Sequence, residues 1–154
     1  MADNTTKPIV VGVDGSPSSL SALEWAAQHA ELTKQPLEAL ATWQWPTNYG
    51  YAVAFEANFD PAQESTQMLD EIVAKVQADH PSIEVRPHVI EGDTRNVLVK
   101  RSKEAALLVL GSRGHGELTG MLLGSVSGYC VTHADCPVPV SYTHLRAHET
   151  SLHL

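Results

Sequence analysis

Short unbroken apolar runs alternate with stretches of helical periodicity along this chain, and that alternation leaves few folds open to it. Pro8-Ile9-Val10-Val11-Gly12-Val13 is a run of strand length that ends at Asp14-Gly15. A strand that is apolar at every position must be covered on both faces, as in a parallel sheet sandwiched between helices. Ser16-Pro17 then opens a helix, with Ser as N-cap and Pro at the first helical position, where no amide hydrogen bond is lost. Leu20, Leu23, Ala27 and Ala30 give it an inward face, and Lys34-Gln35-Pro36 ends it. Leu37 to Trp43 reads as a second strand.

From Gln44 to Asp60 the pattern dissolves, and a connection of that length tends to be a lid, an interaction surface or disorder. Asp60-Pro61-Ala62-Gln63 has the form of a capping box, and the helix it starts carries Leu69, Ile72, Val73 and Val76 before stopping at Pro81. Ile83, Val85, Pro87 and Val89 alternate as a third strand. Pro87 lacks a ladder donor, which predicts a place at the sheet edge. Asp93 caps a further helix with Val97 and Leu98 inward, and Ala106 to Leu110 is a fourth strand. Gly124 to Ala134 reads as the last helix, and Pro137 to Val140 begins a fifth strand. Strand and helix alternating five times predict one α/β domain, a doubly wound parallel sheet with helices on both faces and right-handed crossovers.

The 154 residues suffice for a single core. Ten Lys and Arg against 18 Asp and Glu leave a formal charge of −8, which disfavours nucleic acid as a general partner. The basic stretch Lys100, Arg101 and Lys103 reads as a solvated helix face. No apolar run reaches membrane-spanning length, and the N-terminus lacks the apolar region of a signal peptide, so a soluble cytoplasmic protein is expected. Cys130 and Cys136 have neither zinc-ribbon nor redox spacing and read as unpaired thiols, and the eight histidines form no metal-binding spacing.

In open α/β sheets ligands bind beyond the carboxyl ends of the strands, where strand order reverses. The first strand ends in Asp14-Gly15-Ser16 at a helix N-terminus, and the fourth runs into GSRGHGELTGMLLGS, Gly111 to Ser125, before another helix. Glycines that reach positive φ let successive amides converge on an anion, and a helix N-terminus adds further donors. The stretch reads either as a phosphate cradle or as a plain connection with Ser125 as an ordinary N-cap. Asp14 reads as a ligand group or as a turn residue. The G-x-x-x-x-G-K-[ST] and G-x-G-x-x-G fingerprints are absent, and Val126 stands where the G-x-S-x-G pattern needs its nucleophile.

Gly111-x2-Gly114-x9-Gly124-Ser125 resembles the G-x2-G-x9-G-[ST] motif of the ATP-binding branch of the universal stress protein family. Val13-Asp14-Gly15-Ser16 and His133 to Val138 (HADCPV) are similar to other parts of that family. The resemblance covers about residues 7 to 140. It implies a five-stranded parallel sheet in the order 3-2-1-4-5, and ATP with Mg²⁺ as the ligand. It implies that Asp14 lies near the ribose or phosphates or meets them through Mg²⁺, with Val13 close by. Trp43 would offer backbone groups to the adenine edge, and Gly111, Gly114, Gly124 and Ser125 would hold ribose and phosphates. Arg113 and His115 would either supply positive charge or face solvent.

Two departures qualify the resemblance. Ala106 stands where the family usually has an acidic residue. From Ser141 the last strand gives way to SYTHLRAHETSLHL, which lacks the alternation of a strand. The expected division is therefore a nucleotide-binding domain over 1–140 and an atypical tail over 141–154, read as vector-derived or frameshifted rather than as a real histidine-bearing extension. The family's homodimer, built on the last strand, is expected to be weakened here. An ATP-binding stress-response protein with slow or no hydrolysis is the leading expectation, since no catalytic residue is evident. The alternatives are an adenylyl-transfer or ATP-hydrolysing enzyme on the same fold, or a partner-binding module that has lost ATP.

Overall fold

The computed structural model describes residues 7–45, 59–112, 123–142 and the backbone of 150–153. Ten elements follow in order: β1 (Ile9–Gly12), α1 (Pro17–Thr33), β2 (Leu37–Trp43), α2 (Pro61–Asp79), β3 (Val85–Glu91), α3 (Thr94–Ser102), β4 (Leu107–Gly111), α4 (Ser125–His133), β5 (Val138–Ser141) and β6 (Thr150–His153). The sheet order is β3-β2-β1-β4-β5-β6, and the first five strands run parallel. The expected order 3-2-1-4-5 is therefore present, and β3 with its Pro87 occupies an edge. One strand was not foreseen. Thr150–His153 pairs antiparallel with Val138–Ser141, because backbone pairing needs no apolar side-chain alternation.

The sheet divides the core in two. Ile9 and Val11 point with Leu37 and Ala39 into a layer closed by α1 and α2. Val10, Leu40, Leu108 and Leu110 point into the opposite layer, closed by α3 and α4. Period-two alternation on strands apolar throughout thus gives two complete cores. Each fully buried Leu, such as Leu23, Leu69 or Leu98, contributes about 1.5–3 kcal/mol.

Local signals set the boundaries. Ser16 caps α1 by accepting from the Ser19 amide at 3.3 Å, and Lys34 ends it in the left-handed conformation, φ 59°. Asp60 and Asp93 cap α2 and α3 by accepting from Gln63 and Asn96 at 3.1 and 3.2 Å. Two positions differ from expectation. Leu20 points outward, because the first turn of α1 packs through the small Ser18 and Ser19 instead. Ile83 belongs to the turn after α2, its amide bonded to the His80 carbonyl, and the strand begins at Val85.

The basic stretch also departs from expectation. Lys100 and Lys103 are exposed, but Arg101 reaches back to Glu38 of β2 in a bidentate pair of 2.7 and 2.8 Å. Glu38 is 1% exposed, so a cation is required beside it. The two carboxylate bonds hold the Arg101 guanidinium above its ordinary pKa against the opposing effect of burial. Cys130 and Cys136 are free thiols, pushed up to about 12 and about 11 by burial, so neither is a ready nucleophile. Among the described residues no helix is long and apolar enough to cross a membrane.

Candidate functional site

Parallel strands with returning helices bring every helix N-terminus to the carboxyl edge of the sheet. A cavity of about 400 Å³ opens there, between the ends of the neighbouring strands β1 and β4. Gly12, Leu110 and Gly111 form its floor. Leu40 and Thr42 of β2 and Thr94 and Leu98 of α3 form one wall, and Ser65 and Met68 of α2 another. Val13, Asp14 and Ser19 approach from the β1–α1 turn, and Gly124, Val126 and Ser127 from α4. The walls are apolar with a few hydroxyls among them, the usual character of a small-molecule site.

The β1–α1 turn is tightly built. The Val13 amide extends the ladder to the Leu40 carbonyl at 2.8 Å. Asp14 Oδ1 accepts from the Ser16 amide at 2.9 Å, and Gly15 takes φ +83°, which a side chain would oppose. The Asp14 amide in turn donates to Ser19 Oγ at 3.3 Å. Asp14 is therefore a turn residue and, at the same time, an exposed carboxylate on the cavity wall.

The end of β4 is joined to the start of α4 through one carbonyl. That of Ser112 accepts from the Gly124 amide at 2.6 Å and from Ser127 Oγ at 2.8 Å. The N-cap is Gly124 rather than Ser125, and no side chain caps this helix. Among the described residues no side chain accepts from the amides of its first turn. Positive φ is not the reason for glycine at Gly111 or Gly124, as the glycine-loop reading had expected. Gly111 is extended as the last residue of β4, and Gly124 has φ −69°. At Gly111 the demand is space, since a Cβ there would lie 2.7 Å from the Ser18 carbonyl carbon of α1.

The cavity thus gathers Val13, Asp14, Gly111 and Gly124 from the expected residues. Ser125 is exposed at the first position of α4, outside the described lining. Trp43 ends β2 with its carbonyl accepting from the Gly92 amide at 2.9 Å, and its ring stands edge-on to Trp45 at 6.0 Å. Arg113, Gly114 and His115 lie outside the described residues, as does most of the connection from Gln44 to Asp60. The sequence reading missed Thr42 and Thr94, whose hydroxyls meet at 2.6 Å, and Ser65 and Met68. Thr94 was findable, because every helix start faces this edge. Asp14 is the one ionisable side chain lining the cavity among the described residues.

The comparisons with known proteins bear on this geometry. Residues 5–141 match the model of the universal stress protein family. The chain belongs to that family. A universal stress protein of Mycobacterium tuberculosis is 32% identical over 155 residues, covering 90% of this chain and 49% of its own length. The chain spans about half the length of the curated relatives it matches. A universal stress protein solved in complex with cAMP superposes with a TM-score of 0.67 at 26% identity, covering 90% of this chain and 98% of that one. The universal stress protein of Archaeoglobus fulgidus in complex with dAMP gives 0.65 at 20% identity, covering 89% and 98%, a likeness of fold.

Proposed function

We propose that this universal stress protein domain binds an adenine nucleotide, ATP together with Mg²⁺, in the cavity at the β1–β4 switch point. The observation that carries the reading is that one cavity of nucleotide scale joins apolar walls to the uncapped start of α4. Val13, Leu40, Met68, Leu98 and Val126 suit a flat base, and the first-turn amides of α4, which no described side chain caps, suit phosphate oxygens. The same fold carries cAMP and dAMP in the two solved relatives. The branch motif Gly111-x2-Gly114-x9-Gly124-Ser125 favours ATP over a monophosphate, with Arg113 and His115 available from the same segment.

The donor set fits Mg²⁺ in one way. Among the described residues no group of three or more His, Cys, Asp or Glu could hold a metal ion. Asp14 would therefore supply one carboxylate, with phosphate oxygens and water completing the shell, the usual manner of Mg²⁺ beside a nucleotide. The ion would neutralise phosphate charge. Slow or no hydrolysis belongs to the same reading: among the described lining residues Asp14 alone is ionisable, and it is assigned here to the ion rather than to an attacking water.

Calorimetric titration tests this reading. ATP with Mg²⁺ should saturate in the micromolar range and GTP should bind more weakly. Asp14→Ala should lose affinity chiefly when Mg²⁺ is present. No saturation up to millimolar ATP would overturn it.

A homodimer through β5 belongs to the same proposal, in weakened form. Pro139 removes a donor from β5, and β6 lies along its outer edge. We take the tail over 141–154 to lie outside the nucleotide-binding unit, although the family match runs through Ser141, which closes β5, and Tyr142 packs into the core. Sedimentation velocity should find a monomer–dimer mixture at micromolar concentration. A dimer that stays intact on dilution to nanomolar concentration would rule the weakening out.

A further inference from the structure

An ionisable cluster sits between α1 and α2, at the end of the sheet opposite the cavity. His80 follows α2 as its C-cap, with a side chain only 9% exposed. Its Nε2 lies 3.0 Å from each carboxylate oxygen of Glu24, and its Nδ1 lies 2.9 Å from Oε1 of Glu31, at an angle too oblique for a good hydrogen bond. Glu24 and Glu31 stand two turns apart on α1.

The backbone that carries the ring is pinned by Gln77. The Gln77 amide donates to the carbonyls of His80 at 3.2 Å and Ile83 at 2.8 Å, while its oxygen accepts from the Val85 amide at 3.1 Å. Pro81 keeps His80 out of the helical conformation. The Ser82 hydroxyl reaches Glu31 at 3.5 Å. His29 stacks on Trp25, and Lys75 and Asp79 form no ion pair with the cluster among the described residues; Lys34, Glu84 and Arg86 line a neighbouring cavity with Glu31 and Ser82, Arg86 being paired with Glu84.

A neutral imidazole has one N–H, so its other nitrogen would turn a lone pair toward a carboxylate. Only the imidazolium presents N–H to both sides. We propose that His80, Glu24 and Glu31 form a proton-operated clamp, which fastens the end of α2 to α1 while His80 is doubly protonated and loosens when one proton leaves. Burial works against the charged ring, but the hydrogen bonds to Glu24 and the negative charges of Glu24 and Glu31 outweigh it and raise its pKa from 6.5. A raised folded pKa means that the clamp stabilises fully below the unfolded value and is lost as pH rises through the folded one.

The test is urea unfolding of the full chain and of His80→Gln from about pH 5.5 to about pH 9, with an NMR titration of the His80 ring. The advantage of the parent over His80→Gln should fall as pH rises, by about tenfold in unfolding constant for each unit of pKa elevation. The other histidines cancel in this comparison. The ring should titrate above 6.5. Parallel pH profiles, or a midpoint at or below the ordinary value, would overturn the clamp. If His80→Gln fails to fold, Glu31→Gln replaces it: this variant should lower the His80 midpoint, and an unmoved midpoint overturns the proposal equally.

Discussion

Arg101→Met should destabilise the domain by about 3–5 kcal/mol, because it strands a carboxylate in the core. Glu38 sits 1% exposed on β2, and both of its oxygens are taken up by the Arg101 guanidinium. What remains beside Glu38 is His88, half exposed with Nδ1 3.4 Å away, and Arg86, its register partner on β3, which is already paired with Glu84. Urea unfolding at neutral pH measures the loss. Replacing both partners, Glu38→Leu with Arg101→Met, should recover most of the stability, since an apolar pair of similar volume leaves no charge behind. A single variant as stable as the parent would mean that water reaches Glu38.

Gly111→Val should cost about 3 kcal/mol or more, above the usual range for overpacking, because the obstacle is backbone. An added Cβ would lie 2.7 Å from the Ser18 carbonyl carbon and 2.8 Å from its Cβ, and Ser18 is buried in the first turn of α1. The strand and the helix would have to separate, opening the cavity floor as they did so. In a domain of this size the melting temperature should fall by roughly 6–12 °C. If nucleotide affinity falls while the melting temperature holds, Gly111 is a ligand residue and the packing account fails.

These two sites show where the sequence was legible. Ile9–Gly12 and Leu107–Gly111 announced themselves by apolar runs, and Ser16, Asp60 and Asp93 by their capping positions, because each signal lies within a few residues. Strand ends then located Asp14, Gly111 and Gly124 at the switch point. Glu38 was invisible in LEALATW, because its partner lies 63 positions later. The Thr42–Thr94 contact spans 52 positions and the His80–Glu24 contact 56. Such pairs emerge only once parallel crossovers bring distant segments together. At Gly111 the motif points to a ligand, and the structure adds a demand the motif does not show, the close approach of Ser18 on α1.

The cavity lies at the carboxyl edge of the sheet, while Glu38 with Arg101 and His80 with its two carboxylates lie toward the amino edge. The two ends are therefore chemically separate. Substitutions among Thr42, Ser65, Met68 and Thr94 remodel the cavity without touching either ionic cluster that ties helix to sheet or helix to helix. The plan thus leaves room for the hydroxyl-bearing cavity wall to be recut for another ligand while both ionic ties stay in place.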